Sequence, residues 1–118
     1  REARDENFLI FIFRAHSISS AIMLYTESMH YVYVLENQND KSFYIGFTTN
    51  LRRRLLEHQK GEGGRTTALK KDWELIYFEG YLDKEDAIGR EKFLKSGSGR
   101  KYLYKQLMHY LISSDITP

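Results

Sequence analysis

The sequence predicts an α+β domain in which a small, mainly antiparallel three-stranded sheet is flanked by helices in the order ββαβαα. Two patterns indicate this fold. Three short runs, residues 31–36, 42–46 and 73–82, are rich in aromatic and β-branched residues, as strands are. Elsewhere apolar residues recur at the spacing of an amphipathic helix, first after the second run and again after the third.

The first two runs are expected to pair as a β-hairpin, because residues 37–41 (NQNDK) between them are turn formers. Residues 48–50 (TTN) offer side chains that can cap a helix beginning near Leu51. Apolar residues continue at helical spacing until the glycine-rich segment 61–64 ends the pattern. A helix of about three turns is therefore predicted after the hairpin.

The third strand contains Gly80, which marks a candidate β-bulge. Asp83 is predicted to cap a second helix that reaches Lys95, and residues 96–99 (SGSG) are predicted to break it. A last helix is expected from about residue 100 to residue 113, with apolar residues on one face. The sequence has no visible internal repeat.

Length and composition exclude several classes of protein. The chain has 118 residues, 42% of them hydrophobic, which suffices for one domain with a packed core. It contains no cysteine, which excludes disulfide frameworks, thiol catalysis and cysteine-bound zinc or iron–sulfur sites. The longest apolar runs, such as residues 8–13, are far shorter than the roughly 20 residues that span a bilayer. We therefore expect a soluble, cytoplasmic protein with no membrane contact.

Residues 1–29 differ in composition from the rest and are predicted to be an N-terminal extension of marginal order. They loosely imitate a signal peptide, but acidic residues in the charged region and the lack of a cleavage motif argue against that interpretation. The functional domain is predicted to span residues 30–113, with residues 114–118 as a C-terminal tail. The sequence leaves the oligomeric state open.

The net charge of +2 conceals two strongly basic segments. Residues 52–71 contain seven Lys and Arg against two acidic residues, and residues 84–105 contain seven against three. Such clustering is typical of a surface that binds a polyanion, although ordinary solvated helix faces are the competing interpretation. The candidate nucleic-acid-binding residues are Arg52, Arg53, Arg65, Lys70, Lys71, Lys95, Ser98, Arg100 and Lys101.

A second group of residues has side chains suited to catalysis and lies on the hairpin and the two helices that follow. Arg54 and His58 are four positions apart, so they share one face of the first helix. Taken singly, strand tyrosines are usually packing residues and helical arginines are usually solvated. The combination in this order is more specific than any member: Tyr33, Tyr44, Gly46, Arg54, His58 and Glu91.

With its motifs YVY at 31–33 and YIG at 44–46, followed by Arg54 and then Glu91 in a later helix, the sequence resembles the GIY-YIG nuclease superfamily. The resemblance covers about residues 30–107 and is closest to small standalone bacterial members that consist of the nuclease module alone. The second motif is intact, whereas the first keeps only its tyrosine, since Tyr and Val replace the nominal Gly and Ile.

This resemblance implies a metal-dependent endonuclease that hydrolyses DNA phosphodiester bonds, for example in DNA repair or in the processing of branched or damaged DNA; RNA stays open as a substrate. It implies Tyr33 as the general base and Tyr44 as a neighbouring hydrogen-bonding group or alternative base. It also implies Arg54 as the phosphate clamp, Glu91 as the sole carboxylate ligand of one Mg²⁺ or Mn²⁺, and Gly46 as a structural residue.

Each implied role suits the chemistry of its side chain. A tyrosine, with a reference pKa of about 10, becomes a base only where neighbouring cations favour the phenolate. The planar guanidinium of Arg54 can engage two phosphoryl oxygens and stays charged. One carboxylate completed by water and substrate oxygens is a common way of holding Mg²⁺, which loses its water reluctantly.

Several alternatives remain at this stage. His58 is either a helper histidine that orients water or phosphate, or a surface residue of the helix. Many family members carry a supporting asparagine after the metal-binding glutamate; this sequence has no clear counterpart, and Gln106 is the nearest amide. The whole chain could instead be a catalytically weak or inactive nucleic-acid-binding module of the same fold. An RNA-stacking domain is disfavoured, because the order ββαβαα lacks the βαββαβ pattern of that class.

Overall fold

The computed structural model describes residues 22, 26, 28–64, 67 and 69–116, so most of the predicted N-terminal extension, 1–29, and the end of the predicted tail lie outside the described residues. The predicted α+β fold and the order of its elements are confirmed. The elements are β1 (His30–Asn37), β2 (Phe43–Thr48), α1 (Leu51–Gln59), β3 (Trp73–Tyr81), α2 (Lys84–Lys95), α3 (Gly97–Gln106) and α4 (Met108–Ile116).

The three strands form one antiparallel sheet in the order β2-β1-β3, with β1 in the centre. The register of β1 and β3 shifts at Ile76, which has no partner in β1. The predicted bulge at Gly80 is therefore wrong: Gly80 pairs in register with Tyr31. A Cβ at Gly80 would lie 2.9 Å from the Met29 Cε atom, so the glycine instead makes room for the side chain that precedes β1.

One face of the sheet forms the hydrophobic core with α2 and α3. Successive side chains of a strand point to opposite faces, so Val32 and Val34 share this side. Both are fully buried and pack with Ala87, Leu94 and Leu103 from the two helices. This packing fixes α2 against the sheet.

The opposite face of the sheet carries Tyr33 and Leu35, both fully buried. α1 and the described residues of the segment between α1 and β3 lie on this side. The end of that segment is tied to the β1–β2 turn: Asn37 Nδ2 donates to the Lys71 carbonyl at 2.8 Å, and the Gln38 amide donates to the Asp72 carbonyl at 2.9 Å. This side of the sheet is thus closed over Tyr33, and the candidate site lies here.

The first two helices begin at the predicted residues. The Asn50 side chain accepts a hydrogen bond from the Arg53 amide, and the Asp83 side chain accepts one from the Glu85 amide, so both act as N-caps. Among the described residues, no helix is long and apolar enough to cross a membrane.

The C-terminal helical region differs from the single helix expected over about 100–113. Helix α3 begins earlier, at Gly97, because the Ser96 hydroxyl caps it by accepting from the Gly99 amide at 3.1 Å. The residues predicted to break the structure thus start a helix. At Leu107 the backbone leaves helical geometry, with φ −105° and ψ 20°, and α4 follows as a separate helix.

Candidate active site

The predicted site residues of the hairpin and of α1 meet on the closed face of the sheet. The Tyr33 hydroxyl lies 2.8 Å from His58 Nε2, and Arg54 Nε donates to the same hydroxyl oxygen at 3.4 Å. The four-residue spacing on α1 brings Arg54 and His58 to the same side of the helix. The imidazole of His58 and the guanidinium of Arg54 thus both contact the hydroxyl group of Tyr33.

The aromatic ring of Tyr44 packs beside Tyr33 and His58. Its ring lies 6.3 Å from the ring of Tyr33 and 5.2 Å from that of His58, measured between centroids. On its other side, the ring of Trp73 lies 6.3 Å away. Tyr44 is half-buried, whereas Tyr33 is fully buried, so Tyr44 is the tyrosine of the pair that reaches solvent.

His58 is buried, with 4% of its surface exposed, so its interpretation as a surface histidine is wrong. Its ring fits because Gly63 has no side chain: a Cβ there would lie 2.0 Å from His58 Nδ1. The second ring nitrogen, Nδ1, lies 2.8 Å from the hydroxyl of the fully buried Thr67. Sequence reasoning missed the contacts of Gly63 and Thr67 with His58, because they depend on how the connection between α1 and β3 packs against the ring.

Burial keeps the central pair in its neutral forms. It raises the pKa of Tyr33 to about 12, outweighing the Arg54 hydrogen bond that favours the phenolate. Burial also lowers the pKa of His58, and the charge of Arg54 lowers it further against the opposing effect of Glu57. A neutral imidazole has one nitrogen with a lone pair, which can accept a hydrogen bond from the Tyr33 hydroxyl.

Arg54 is held as a permanent cation at the edge of this pair. Although burial opposes its charge, hydrogen bonds to Tyr33 and Tyr44 raise its pKa. Its Nη2 donates to the Gly63 carbonyl, and its Nη1 lies 3.6 Å from Glu57 Oε2. The guanidinium is therefore held in place beside Tyr33.

Glu91 lies in α2, on the stripe that faces the sheet, because it is four residues after the buried Ala87 and three before the buried Leu94. Its side chain is 20% exposed, and Oε2 lies 3.2 Å from Lys95 Nζ. The charge of Glu91 is close enough to contribute to the raised pKa of Tyr33. The carboxylate of Glu91 is therefore near enough to Tyr33 for its charge to act on the phenol, while its ion pair in the structure is with Lys95.

This donor set fits a largely hydrated divalent cation. The described part of the chain contains no cluster of three or more His, Asp or Glu side chains that could enclose a metal. Glu91 would hold Mg²⁺ or Mn²⁺ through one carboxylate, with water and substrate oxygens as the other ligands. The ammonium of Lys95 is easily displaced, because an i,i+4 pair on a helix surface contributes only a few tenths of a kcal/mol.

The predicted nucleic-acid-binding residues are solvent-exposed wherever the structure describes them; Arg65 lies outside the described residues. Three have acidic partners within the described chain: Arg53 pairs with Glu57, Lys70 with Asp40 and Lys95 with Glu91. For the remaining basic members no ion pair is found within that part of the chain: Arg52, Lys71, Arg100 and Lys101. Ser98 is exposed, and so is Gln106, the candidate amide, which ends α3.

Comparison with known proteins gives a consistent result. Residues 29–103, more than half of the chain, match the family described as "GIY-YIG catalytic domain". A UPF0213 protein of Streptococcus pneumoniae is 46% identical over 65 residues, which are 55% of this chain and 65% of that protein, slightly less than two thirds. A UPF0213 protein of Natronomonas pharaonis is 43% identical over 72 residues, 61% of this chain and 84% of that protein.

A solved structure is also similar. The solution NMR structure of a UPF0213 protein from Bacillus halodurans is 32% identical, covering 66% of this chain and 84% of that chain, with a TM-score of 0.43.

Proposed function

The chain belongs to the GIY-YIG catalytic-domain family, and from this premise we propose that the protein is a metal-dependent endonuclease that hydrolyses DNA phosphodiester bonds. The observation that carries the proposal is the contact of Tyr33 with both His58 and Arg54. A protein that only bound nucleic acid would have no need of a buried phenol hydrogen-bonded to a neutral imidazole beside a fixed cation.

The reaction would proceed by in-line attack of water on the phosphorus. As the water oxygen forms its bond to phosphorus, Tyr33 takes a proton from the water and passes its own hydroxyl proton to His58 Nε2. The bond from phosphorus to the leaving sugar oxygen breaks, and that oxygen is protonated from solvent. Arg54 stabilises the negative charge that develops on the phosphoryl oxygens.

Tyr44 has a different proposed role from Tyr33. Because it reaches solvent and its hydroxyl helps to raise the pKa of Arg54, we assign it to the entrance of the site, where it would orient the attacking water or a phosphate oxygen. The buried Tyr33 would exchange its proton only with His58 and with a water held between the two tyrosines.

A divalent cation held by Glu91 would polarise the phosphoryl group and stabilise the leaving oxygen. On the protein side, Glu91 supplies a half-buried carboxylate on a helix fixed by the hydrophobic core. Lys95, its present partner, would be released to contact the nucleic-acid backbone.

The exposed basic residues are proposed to bind the sugar–phosphate backbone. They lie in the segment that follows the hairpin and at the start of α3, and backbone contacts carry no sequence information. We therefore propose a substrate defined by its shape, such as branched or damaged DNA, rather than by its sequence.

Cleavage of defined nucleic acids tests this proposal. Labelled branched, duplex and single-stranded DNA, with an RNA of matched sequence, would be incubated with the purified protein in Mg²⁺, Mn²⁺ or a chelator. We expect metal-dependent cleavage of DNA by the natural chain and none by Glu91→Gln. Binding without cleavage in every metal would favour the alternative, a nucleic-acid-binding module of the same fold.

We further propose that residues 30–113 form the catalytic unit. Deletion of residues 1–28 is expected to leave a folded and active protein, as judged by circular dichroism and by the same cleavage measurement. An unfolded truncated chain would show instead that the N-terminal residues are part of the domain.

A further inference from the structure

A continuous row of hydrogen bonds connects Tyr33 through His58 to Thr67 and Gly64. The Tyr33 hydroxyl meets Nε2 of the imidazole at 2.8 Å, and Nδ1 meets the Thr67 hydroxyl at 2.8 Å. The Thr67 hydroxyl in turn donates to the Gly64 carbonyl at 3.4 Å. Thr67 is fully buried, so water does not compete for these partners.

The direction of this row follows from counting protons. The Thr67 hydroxyl has one hydrogen, and it is directed to the Gly64 carbonyl, which can only accept. With its hydrogen on this carbonyl, Thr67 accepts from His58, which places the ring hydrogen on Nδ1. A neutral imidazole has one such hydrogen, so Nε2 carries a lone pair and accepts the proton of Tyr33.

The environment of the ring agrees with this direction. Arg54 Nε can only donate, so its contact with Tyr33 uses a lone pair of the phenol oxygen and leaves the phenol hydrogen for Nε2. The other groups that face His58 are the edge of the Tyr44 ring and the charge of Glu57. Within the described residues, only Tyr33 and Thr67 hydrogen-bond to the nitrogens of this ring.

Thr67 is itself held in place from the start of β3. The indole Nε1 of Trp73 donates to the Thr67 carbonyl at 3.2 Å, and the same indole packs against Tyr44. Trp73 therefore contacts both Thr67, which hydrogen-bonds His58, and Tyr44, whose ring packs against His58.

We infer that Thr67 is a positioning residue that holds His58 in its Nδ1–H tautomer and so leaves Nε2 free to accept the Tyr33 proton. When that proton is transferred, His58 becomes an imidazolium, Tyr33 regains a proton from the attacking water, and the Nδ1–H bond to Thr67 is retained. In the other tautomer Nε2 would already carry a hydrogen and would donate to Tyr33. The consequence for cleavage rests on the proposed function, whereas the tautomer itself does not.

Two substitutions separate the hydroxyl of Thr67 from its packing. Thr67→Val keeps the shape but removes the hydroxyl, and Thr67→Ser keeps the hydroxyl but removes a methyl group. Long-range ¹H–¹⁵N correlation spectra of the full chain report which imidazole nitrogen of His58 is protonated, whether or not any nuclease activity is present. Thermal unfolding reports whether each variant is folded.

We expect protonated Nδ1 and unprotonated Nε2 in the natural chain and in Thr67→Ser, and a mixture of tautomers in Thr67→Val. DNA cleavage is expected to fall about 10- to 100-fold in Thr67→Val and to stay within about threefold in Thr67→Ser, as is typical when a residue that orients a functional imidazole is lost.

Three results would overturn the inference: a protonated Nε2 in the natural chain, an unchanged tautomer in folded Thr67→Val, or an equal loss of cleavage in both variants. If Thr67→Val does not fold, the spectrum of the natural chain and the rate of Thr67→Ser still decide. Lack of cleavage by the natural chain with protonated Nδ1 would refute the proposed function and leave the positioning role of Thr67 intact.

Discussion

Gly46 of β2 lies directly opposite Tyr33 of β1, and the Tyr33 side chain occupies the space where a side chain at position 46 would be. The two residues are partners in the antiparallel register, and a Cβ built on Gly46 would lie 2.4 Å from both Cζ and the hydroxyl oxygen of Tyr33. No rotation of a buried tyrosine ring relieves such an overlap without moving its hydroxyl. The glycine of the second motif therefore determines where the phenol of the first motif lies.

Gly46→Ala is expected to displace the Tyr33 hydroxyl from His58. We expect a loss of about 1–3 kcal/mol in the free energy of unfolding, because the added methyl group overpacks the site, and a much larger loss of cleavage. Urea unfolding and cleavage rates measure the two effects. The matched control is Gly89→Ala on the exposed side of α2, where an added Cβ meets no atom within 4 Å and should stabilise by up to about 1 kcal/mol. Equal stability and equal cleavage rates in Gly46→Ala and Gly89→Ala would contradict the conclusion that Gly46 determines the position of the Tyr33 phenol.

Tyr33→Phe is expected to keep the fold and to lower the cleavage rate by about 10²–10⁴-fold, because it removes the hydroxyl that exchanges the proton. Tyr44→Phe should cost less, since Tyr44 is proposed to orient the water or a phosphate oxygen and not to exchange the proton. The natural chain should become faster as the pH rises through the pKa of His58, which lies below its usual value of 6.5, and then level off.

The pH profile also discriminates between the two tyrosines. In Tyr33→Phe the residual activity should lose this rising limb, because His58 no longer receives a proton from the phenol. If Tyr33→Phe cleaves DNA at a nearly natural rate and Tyr44→Phe is inactive, Tyr44 would be the residue that exchanges the proton. A rate that keeps rising towards the pKa of Tyr33, about 12, would mean that the phenol ionises without help from His58.

Glu91→Gln is expected to abolish metal-dependent cleavage while the fold and the affinity for DNA persist, because a neutral amide is a poor ligand for a hard cation. Mn²⁺ binding, followed by isothermal titration calorimetry in the presence of uncleavable DNA, should weaken in parallel. Glu85→Gln provides the control, since Glu85 is an exposed carboxylate in the first turn of the same helix. Natural cleavage rates in Glu91→Gln would exclude Glu91 as the metal ligand.

Affinity for duplex DNA is expected to fall steeply with salt. If about four to six basic side chains contact phosphates, log K should decrease with log salt at a slope of roughly −4 to −5. Substitution of Arg100 or Lys101 by Gln should each reduce the slope by about 1, whereas Lys41→Gln in the β1–β2 turn should not. Filter binding across a salt series measures the slope. A value near zero would show that the basic segments do not contact the phosphates.

Glu79→Gln is expected to destabilise the protein by about 2–4 kcal/mol at neutral pH, because it leaves a largely buried guanidinium without its partner. Arg90 donates to both carboxylate oxygens of Glu79, at 2.9 and 3.0 Å, and Tyr77 and Tyr81 donate to the same group. The side chains of Arg90 and Glu79 are only 23% and 16% exposed.

The effect of Glu79 should vanish in acid. Burial alone would raise the pKa of Glu79, but the hydrogen bonds from Arg90 and the two tyrosines outweigh it and hold the pKa below the unfolded value of 4.5. Its contribution is therefore complete above pH 4.5 and is lost as the pH falls through the lower, folded pKa. Urea unfolding at several pH values should show the difference between natural and variant chains shrinking in acid, with Glu62→Gln as the exposed control.

Local sequence patterns determined the elements of this protein and the residues that meet in its site. Strand-forming runs and turn residues located the hairpin, and side-chain caps at Asn50 and Asp83 located the starts of α1 and α2. The four-residue spacing of Arg54 and His58 placed both on one helix face. These features depend on interactions between residues close in the chain, so they can be predicted without knowledge of the packing.

Tertiary structure alone decided how those residues are used. The burial of His58 depends on Gly63 and Thr67, which contact the ring from the connection between α1 and β3, and no local sequence pattern encodes these contacts. The bulge at Ile76 rather than Gly80 depends on how β3 pairs with a strand more than 30 residues earlier. Likewise, the neutral state of the Tyr33–His58 pair arises from desolvation, which is a property of the packed environment and not of either residue.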